Sequence, residues 1–337
     1  MAALDATFLN NATREYIVPG IRAQVYSDIV GFSKLRQKGK IGVATSTGIK
    51  FNVILKKHEA VGLLPAYDTL ATQQINPTVQ GTLTPALYYG VAGISEREVT
   101  LNTGGDQVKE FDMIKTQIDN CRATMQDNIG TDFYGSGTAN PDGYIPLVGL
   151  GAIVGTGTYA GIAGATYTNW QSFVDSTTRT LATLQDPADA GYLSNIMYSA
   201  YYGKTLTVRE QLPTDIITGI QVYQLYMNIM GDKYRIVNNT TADASFGGAS
   251  FAGGSVTMSY DRHVPNGTSG ASYGKMYFLN FNRFMLMVYP GKDFDMQDPG
   301  WVKTVSPATQ LARFEFAGQI YCDTRNEQSV INDIQHI

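Results

Sequence analysis

Few side chains in this chain can do chemistry, and they are scattered. The histidines are His58, His263 and His336. None has a second ligand at the short spacings that build metal sites, so the pattern predicts surface residues. Cys121 and Cys322 are the only cysteines, too few for a disulfide framework or a zinc cluster. Both fall in apolar-periodic runs, which predicts buried free thiols. Asp293, Asp295 and Asp298 alternate, but the glycine and terminal glutamate of a calcium loop are missing, which favours a solvated turn. Gly149, Gly151 and Gly155 loosely match a dinucleotide-binding loop. That loop needs a helix directly after its glycines, and TGTYAGIAGATYTNW follows instead. Asp261 and His263 share a loop with no serine placed by motif to complete a triad. There is no Gly-x-Ser-x-Gly elbow, His-Glu-x-x-His helix or P-loop. The expectation is a protein that is not an enzyme, with no catalytic, cofactor-binding or metal-ligating residues. One charged run remains, Lys34, Arg36, Lys38 and Lys40. It is either a solvated stretch or a contact to phosphate or an acidic neighbour.

The element that must position everything else lies at 108–132. Phe111, Ile114, Ile118, Cys121 and Met125 step by three and four, laying one stripe down an α-helix. Asp106 is the expected N-cap and Gly130 the expected stop. The opposite face carries Lys109, Glu110, Asp112, Lys115, Asp119 and Arg122 and must meet water or a partner.

Around this spine the chain reads in order. Residues 1–34 carry little periodic core and suggest an extended arm. From Ile41 a Val- and Ile-rich stretch alternates like a strand, and residues 86–101 form a second strand candidate. Joined across an irregular middle containing Pro65, Pro77 and Pro85, they predict a long hairpin, marginal alone in water. Residues 169–184 read as a helix. Residues 212–230 read as a strand to Thr218 and then a helix closed by Gly231. Ser255–Tyr260 is a short strand, 276–291 the strongest apolar strand pair, and 312–322 a strand followed by a short tail.

Composition limits the function classes. The chain has 337 residues, of which 43% are hydrophobic, enough for a sizeable core, and only 16% are charged, below the usual quarter or so. Gly (35) and Tyr (21) are abundant, so the surface is built from hydroxyls, amides and aromatics, as in proteins that cover themselves with neighbours. A net charge of -4 argues against gripping nucleic acid across a whole face. No basic and apolar leader opens the sequence, and the glycine-laden run 145–169 is a poor transmembrane span.

The order arm, hairpin, spine helix, inserted α/β unit and returning strands resembles the major capsid proteins of tailed bacteriophages, the HK97-like fold. The resemblance is carried by ALYYGVAGISEREVTL (86–101) leading into GGDQVKEFDMIKTQIDNCRATMQDNI, by LVGLGAIV (147–154) with GTYAGIAGATYTNWQSF (157–173), by LPTDIITGIQVYQLYMNIM (212–230), and by the late strands 276–301 and 312–334. It implies an α+β fold divided into an N-terminal arm (1–37), an extended loop (38–104), a peripheral domain with the spine helix (105–140 and 290–337) and an axial domain (141–289). It implies a structural subunit that assembles with itself, as hexamers and pentamers, into an icosahedral or prolate virion shell around double-stranded DNA, built in the host cytoplasm. Portal, scaffold, protease or decoration proteins would be partners, with no cofactor and no membrane. Some members of the family cross-link a lysine to an asparagine; Lys56 or Lys57 would be the lysine here. An encapsulin-type compartment shell is the alternative within this architecture. A β-rich glycan-binding protein or an enzyme is the contrasting class.

Overall fold

A computed structural model describes residues 29–44, 48–55, 78–95, 97, 107–138, 146–203, 211–231, 250–251, 256–267, 269–270, 272–297, 302–305 and 308–336. Most of the expected arm, the hairpin tip with Lys56, Lys57 and His58, and the expected N-cap Asp106 lie outside the described residues. The elements, in chain order, are α1 (Val30–Gln37), β1 (Ile41–Val43), β2 (Ile49–Ile54), β3 (Thr78–Leu83), β4 (Ala86–Ser95) and α2 (Gln107–Tyr134). Then follow α3 (Leu150–Ile153), β5 (Phe173–Asp175), α4 (Leu181–Gln185), α5 (Leu193–Tyr202), β6 (Asp215–Thr218) and α6 (Ile220–Gly231). The strands β7 (Ser250–Phe251), β8 (Val256–Tyr260), β9 (Tyr273–Leu279), β10 (Phe284–Met296), β11 (Val302–Val305), β12 (Ala308–Cys322) and β13 (Ser329–Gln335) complete the order.

The spine is α2, 28 residues long and so about 42 Å from end to end. Ile114, Ile118 and Met125 are buried as the spacing requires, and Cys121 is half-buried. The stripe does not stop at Gly130 but runs on through Ile129, Phe133 and Tyr134, all buried. Gly130 is therefore a close-approach site rather than a terminator. A Cβ built there would stand 2.6–2.7 Å from the His263 ring. We expect Gly130→Ala to destabilise the subunit by about 1–2 kcal/mol in urea unfolding. Overpacking against a fixed ring costs about 1–3 kcal/mol, which outweighs the roughly 1 kcal/mol of added helix propensity.

Two sheets hang on this helix. The peripheral sheet runs β1-β10-β12-β11, with β4 antiparallel to β12 on the other side. The spine lies on one face of β4: a Cβ at Gly90 would be 2.5 Å from both Cys121 Sγ and Met125 Sδ. The hairpin differs from expectation. Its strands are β2 and β3, paired from Ile49↔Leu83 to Ile54↔Thr78. The segment 86–95 instead leaves after Pro85 to join β12 over ten residue pairs, and 41–43 joins β10. The root of the hairpin is also supported within the chain. Ile49, Phe51, Val53 and Leu83 are buried, Phe51 stacks on Tyr321 at 4.9 Å, and the Thr82 amide donates to Ala160 O.

The second sheet runs β5-β13-β9-β6-β8-β7. Alternation gives it two different faces. Ile216, Met258, Met276, Phe278 and Ile331 pack under α4, α5 and α6 in a core of their own. Ile217, Tyr277, Leu279 and Val330 join the core shared with the spine. Strand pairing crosses the expected domain limits. The last strand, β13, expected to be peripheral, lies between β5 and β9 in this second sheet. Phe284–Val288, expected to be axial, pairs with β12 in the peripheral sheet. Thus 276–291 is two consecutive strands of different sheets, not a pair. The helix expected over 169–184 is a 3-10 turn at Thr168–Trp170, β5, and the five-residue α4. Parallel pairing of Phe173–Asp175 with Ser329–Ile331 overrides the local pattern.

Candidate assembly surfaces and the lobe junction

The expected basic contact run divides. Lys34 on α1 and Lys38, the residue that caps its C-terminus, are one helical turn apart and reach the same carboxylate. Lys34 Nζ is 2.9 Å from Asp215 Oδ1 and Lys38 Nζ 3.0 Å from Asp215 Oδ2. Thr257 and Thr214 hydroxyls donate to the same two oxygens at 2.9 and 2.6 Å. Asp215 is buried in β6, yet its carboxyl is held below the usual range. Burial pushes it up, and the hydrogen bonds from Thr214, Lys34 and Lys38 and the charge of Lys34 more than offset this. Arg36 lies on the exposed side of α1, and Lys40, half-buried, follows the helix. Helix α1 also corrects the end of the expected arm. Phe32 and Leu35 are fully buried, and Phe32 meets Phe133 edge-on at 5.2 Å.

A second polar knot ties the same elements. The Asp261 carboxylate accepts from Val30 N and Tyr134 Oη at 2.9 Å each, and from His263 N at 2.9 Å. His263 Nδ1 lies 3.0 Å from Asp261 Oδ1. Arg262 Nε donates to His263 Nε2 at 3.3 Å and Arg262 Nη2 to Asp127 at 2.6 Å. His263, expected on the surface, is thus packed between the spine and the axial loop with its side chain 6% exposed. His336 is partly buried near the C-terminus, and burial pulls its pKa down. Among the described residues, no three His, Cys, Asp or Glu side chains are grouped to hold a metal. Asp293 and Asp295 lie in β10 rather than in a solvated turn, and Asp298 is outside the described residues.

The glycine-rich segment 149–157 has the opposite polarity to a phosphate cradle. Gly149 packs directly on the carbonyls of Asp132 and Phe133, and the Gly151 amide donates to Gly135 O. The carbonyls of Ala152, Ile153 and Gly157 point at the Arg325 guanidinium and accept from it at 3.0, 2.5 and 2.6 Å. Arg325 is 1% exposed, and burial lowers its pKa to about 10, so it stays cationic at neutral pH. Asp215 and Arg325 escaped the sequence reading because each is one charge inside an apolar or mixed run with its partners far away in sequence. The available signal was the charge itself, in TDIIT and CDTRNEQ.

Among the described residues, β4 and the helices α5 and α6 are among the places where large apolar groups reach solvent. On β4, Leu87, Tyr89 and Val91 share the face opposite the spine and are 62%, 69% and 49% exposed. They stand opposite Ala317, Glu315 and Arg313 of β12. Glu315 is buried beneath Arg313, at 2.7 Å, and Lys292. On the axial helices, Tyr198 stacks on Tyr202 at 6.3 Å, and both are exposed, as are Ile220 and Met227 on α6. Such strips, with charge at the rim and aromatic or aliphatic groups at the centre, have the anatomy of protein–protein contacts.

No protein-family model and no curated protein sequence matches the chain. Solved structures do match. The capsid of cyanophage A-1(L) aligns over 88% of this chain and 90% of its own, with TM-score 0.60 and 16% identity. The capsid of Myoviridae phage XM1 gives 0.54 over 88% and 90% at 11% identity, and that of an empty GTA particle gives 0.53 over 89% and 89% at 11% identity. The chain has the HK97-like fold of phage capsid subunits.

Proposed function

We propose that this chain is a major capsid subunit that assembles with copies of itself into a closed virion shell around double-stranded DNA. The fold likeness to three capsid structures over nearly nine-tenths of the chain carries this reading. The uncovered strip on β4 and the exposed axial aromatics support it, since both become buried when copies pack side by side. The axial lobe serves as the ring-forming contact of hexamers and pentamers, and the hairpin 49–83 as a reach toward an adjacent copy. Function then follows from burial rather than from bond chemistry. The low charge content suits it, because desolvating an unpaired charge is costly. Of the basic run, Arg36 and Lys40 remain candidates for contact with DNA or an acidic neighbour.

Electron microscopy of the purified protein, followed by nuclease digestion and extraction, tests the proposal. Closed hollow particles are expected, holding nuclease-protected DNA when recovered from a productive infection. Particles loaded only with protein cargo would point to a compartment shell. Small discrete oligomers at high concentration would reject the shell reading.

A further inference from the structure

Helix α1 has eight residues and no side-chain N-cap, too short to hold itself in water. What holds it comes from two different places. Its apolar side belongs to the spine: Gly31 lies directly under the Phe133 ring, and Phe32 packs edge-on against the same ring. Its polar side belongs to the axial lobe: Lys34 and Lys38 on Asp215, and Val30 N on Asp261. The Lys38 ammonium also stands 5.9 Å from the Phe281 ring centroid. After the C-cap Lys38, Gly39 takes φ +65° with nothing within 4 Å of a Cβ built there, and one backbone hydrogen bond, Lys40 N to Leu35 O at 2.8 Å, spans it back to the helix, so this is the bond a pivot at Gly39 must break. Beyond Gly39 the chain is pinned again, Leu286 N donating to Lys40 O and Ala44 N to Val288 O.

We propose that α1 is a charge-operated latch between the axial lobe and the spine, opening as one unit about Gly39 when the Asp215 carboxylate is lost. The two ammonium groups then face each other with no shared counter-charge, and the helix keeps the buried Phe32 and Leu35, the contact of Gly31 with the Phe133 ring and the Val30 N bond to Asp261. Lys34 and Lys38 keep side-chain exposures of 20% and 28%, so the latch sits at the edge of solvent rather than deep in the core. Because the Asp215 carboxyl is held below its ordinary value, the latch is fully closed at neutral pH. Its contribution is lost only as pH falls through that lowered folded value. The groups facing the carboxylate are Lys34 from α1, Lys38 at its C-cap, Thr214 beside Asp215 and Thr257 from β8; Asp261 faces the start of the helix. The inference does not depend on the shell reading.

Amide hydrogen exchange of the full chain at neutral pH tests it, comparing wild type with Asp215→Asn at matched assembly state. Protection at residues 33–38 should fall at least tenfold in the variant. Protection of spine residues 118–134 and of the Leu286 and Ala44 amides should change less than threefold. Wild-type protection at 33–38 in the variant would overturn the proposal. So would loss at Leu286 and Ala44 together with the helix, because the chain would then not pivot at Gly39. Lys34→Gln/Lys38→Gln gives the same reading from the exposed side if Asp215→Asn does not fold.

Discussion

Leu87→Asp combined with Tyr89→Asp will yield a folded subunit that forms no closed shells. Both side chains point away from the spine and are largely exposed in the isolated chain. Surface changes of this kind shift subunit stability by only about 0.5 kcal/mol. In an assembly the outcome reverses. Each buried carboxylate without a partner costs about 2–5 kcal/mol, and every copy brings the same two charges to every equivalent contact. Thermal unfolding should match wild type, while sedimentation velocity should show loss of the fast species. Shells at normal yield from the double variant would show that this face of β4 is not an interface. Leu87→Ala with Tyr89→Ala should weaken assembly without abolishing it, since it removes contact area but buries no charge.

Arg325→Met should be the most damaging single change to the fold, at about 3–5 kcal/mol. Methionine keeps much of the volume, so packing loss is small. The cost comes from the Ala152, Ile153 and Gly157 carbonyls, which lose a shared donor, the buried Ile153 carbonyl most of all, since Ala152 is half-buried and Gly157 exposed. The segment they belong to is pressed on the last turn of the spine through Gly149 and Gly151, so its loosening would also expose the spine's end. Arg325→Lys should recover only part of the loss, because a point ammonium cannot reproduce a planar fork aimed at three acceptors. Chemical denaturation followed by tyrosine and tryptophan fluorescence measures both variants. A midpoint within error of wild type for Arg325→Met would show that water serves those carbonyls equally well.

The expectations that held were those resting on local periodicity. The spine stripe from Ile114 to Met125 is a pattern of burial that a helix must obey whatever it packs on, and it was legible residue by residue. The same holds for β6 passing into α6, where the short strand DIIT meets a helical spacing, and for the buried Cys322 in β12. The order of these pieces was enough to suggest the capsid fold, because topology is conveyed by the sequence of elements even when no single motif is specific.

What the chain could not announce locally was partner choice. Strand alternation says that a segment pairs, not with what. Residues 78–83, crowded between prolines, therefore proved to be the hairpin partner, while the more strand-like 86–95 went to β12. The C-terminal tail became an interior strand of the axial sheet because β9 and β5 left a place between them. Gly130 looked like a helix end until His263 arrived from 133 positions away. The buried charges Asp215, Asp261 and Arg325 depend on the same long-range geometry. Helical and strand periods arise from bonds between near neighbours and are written in the sequence. Pairing, close approach and charge compensation depend on which distant segments meet, and only the folded chain decides that.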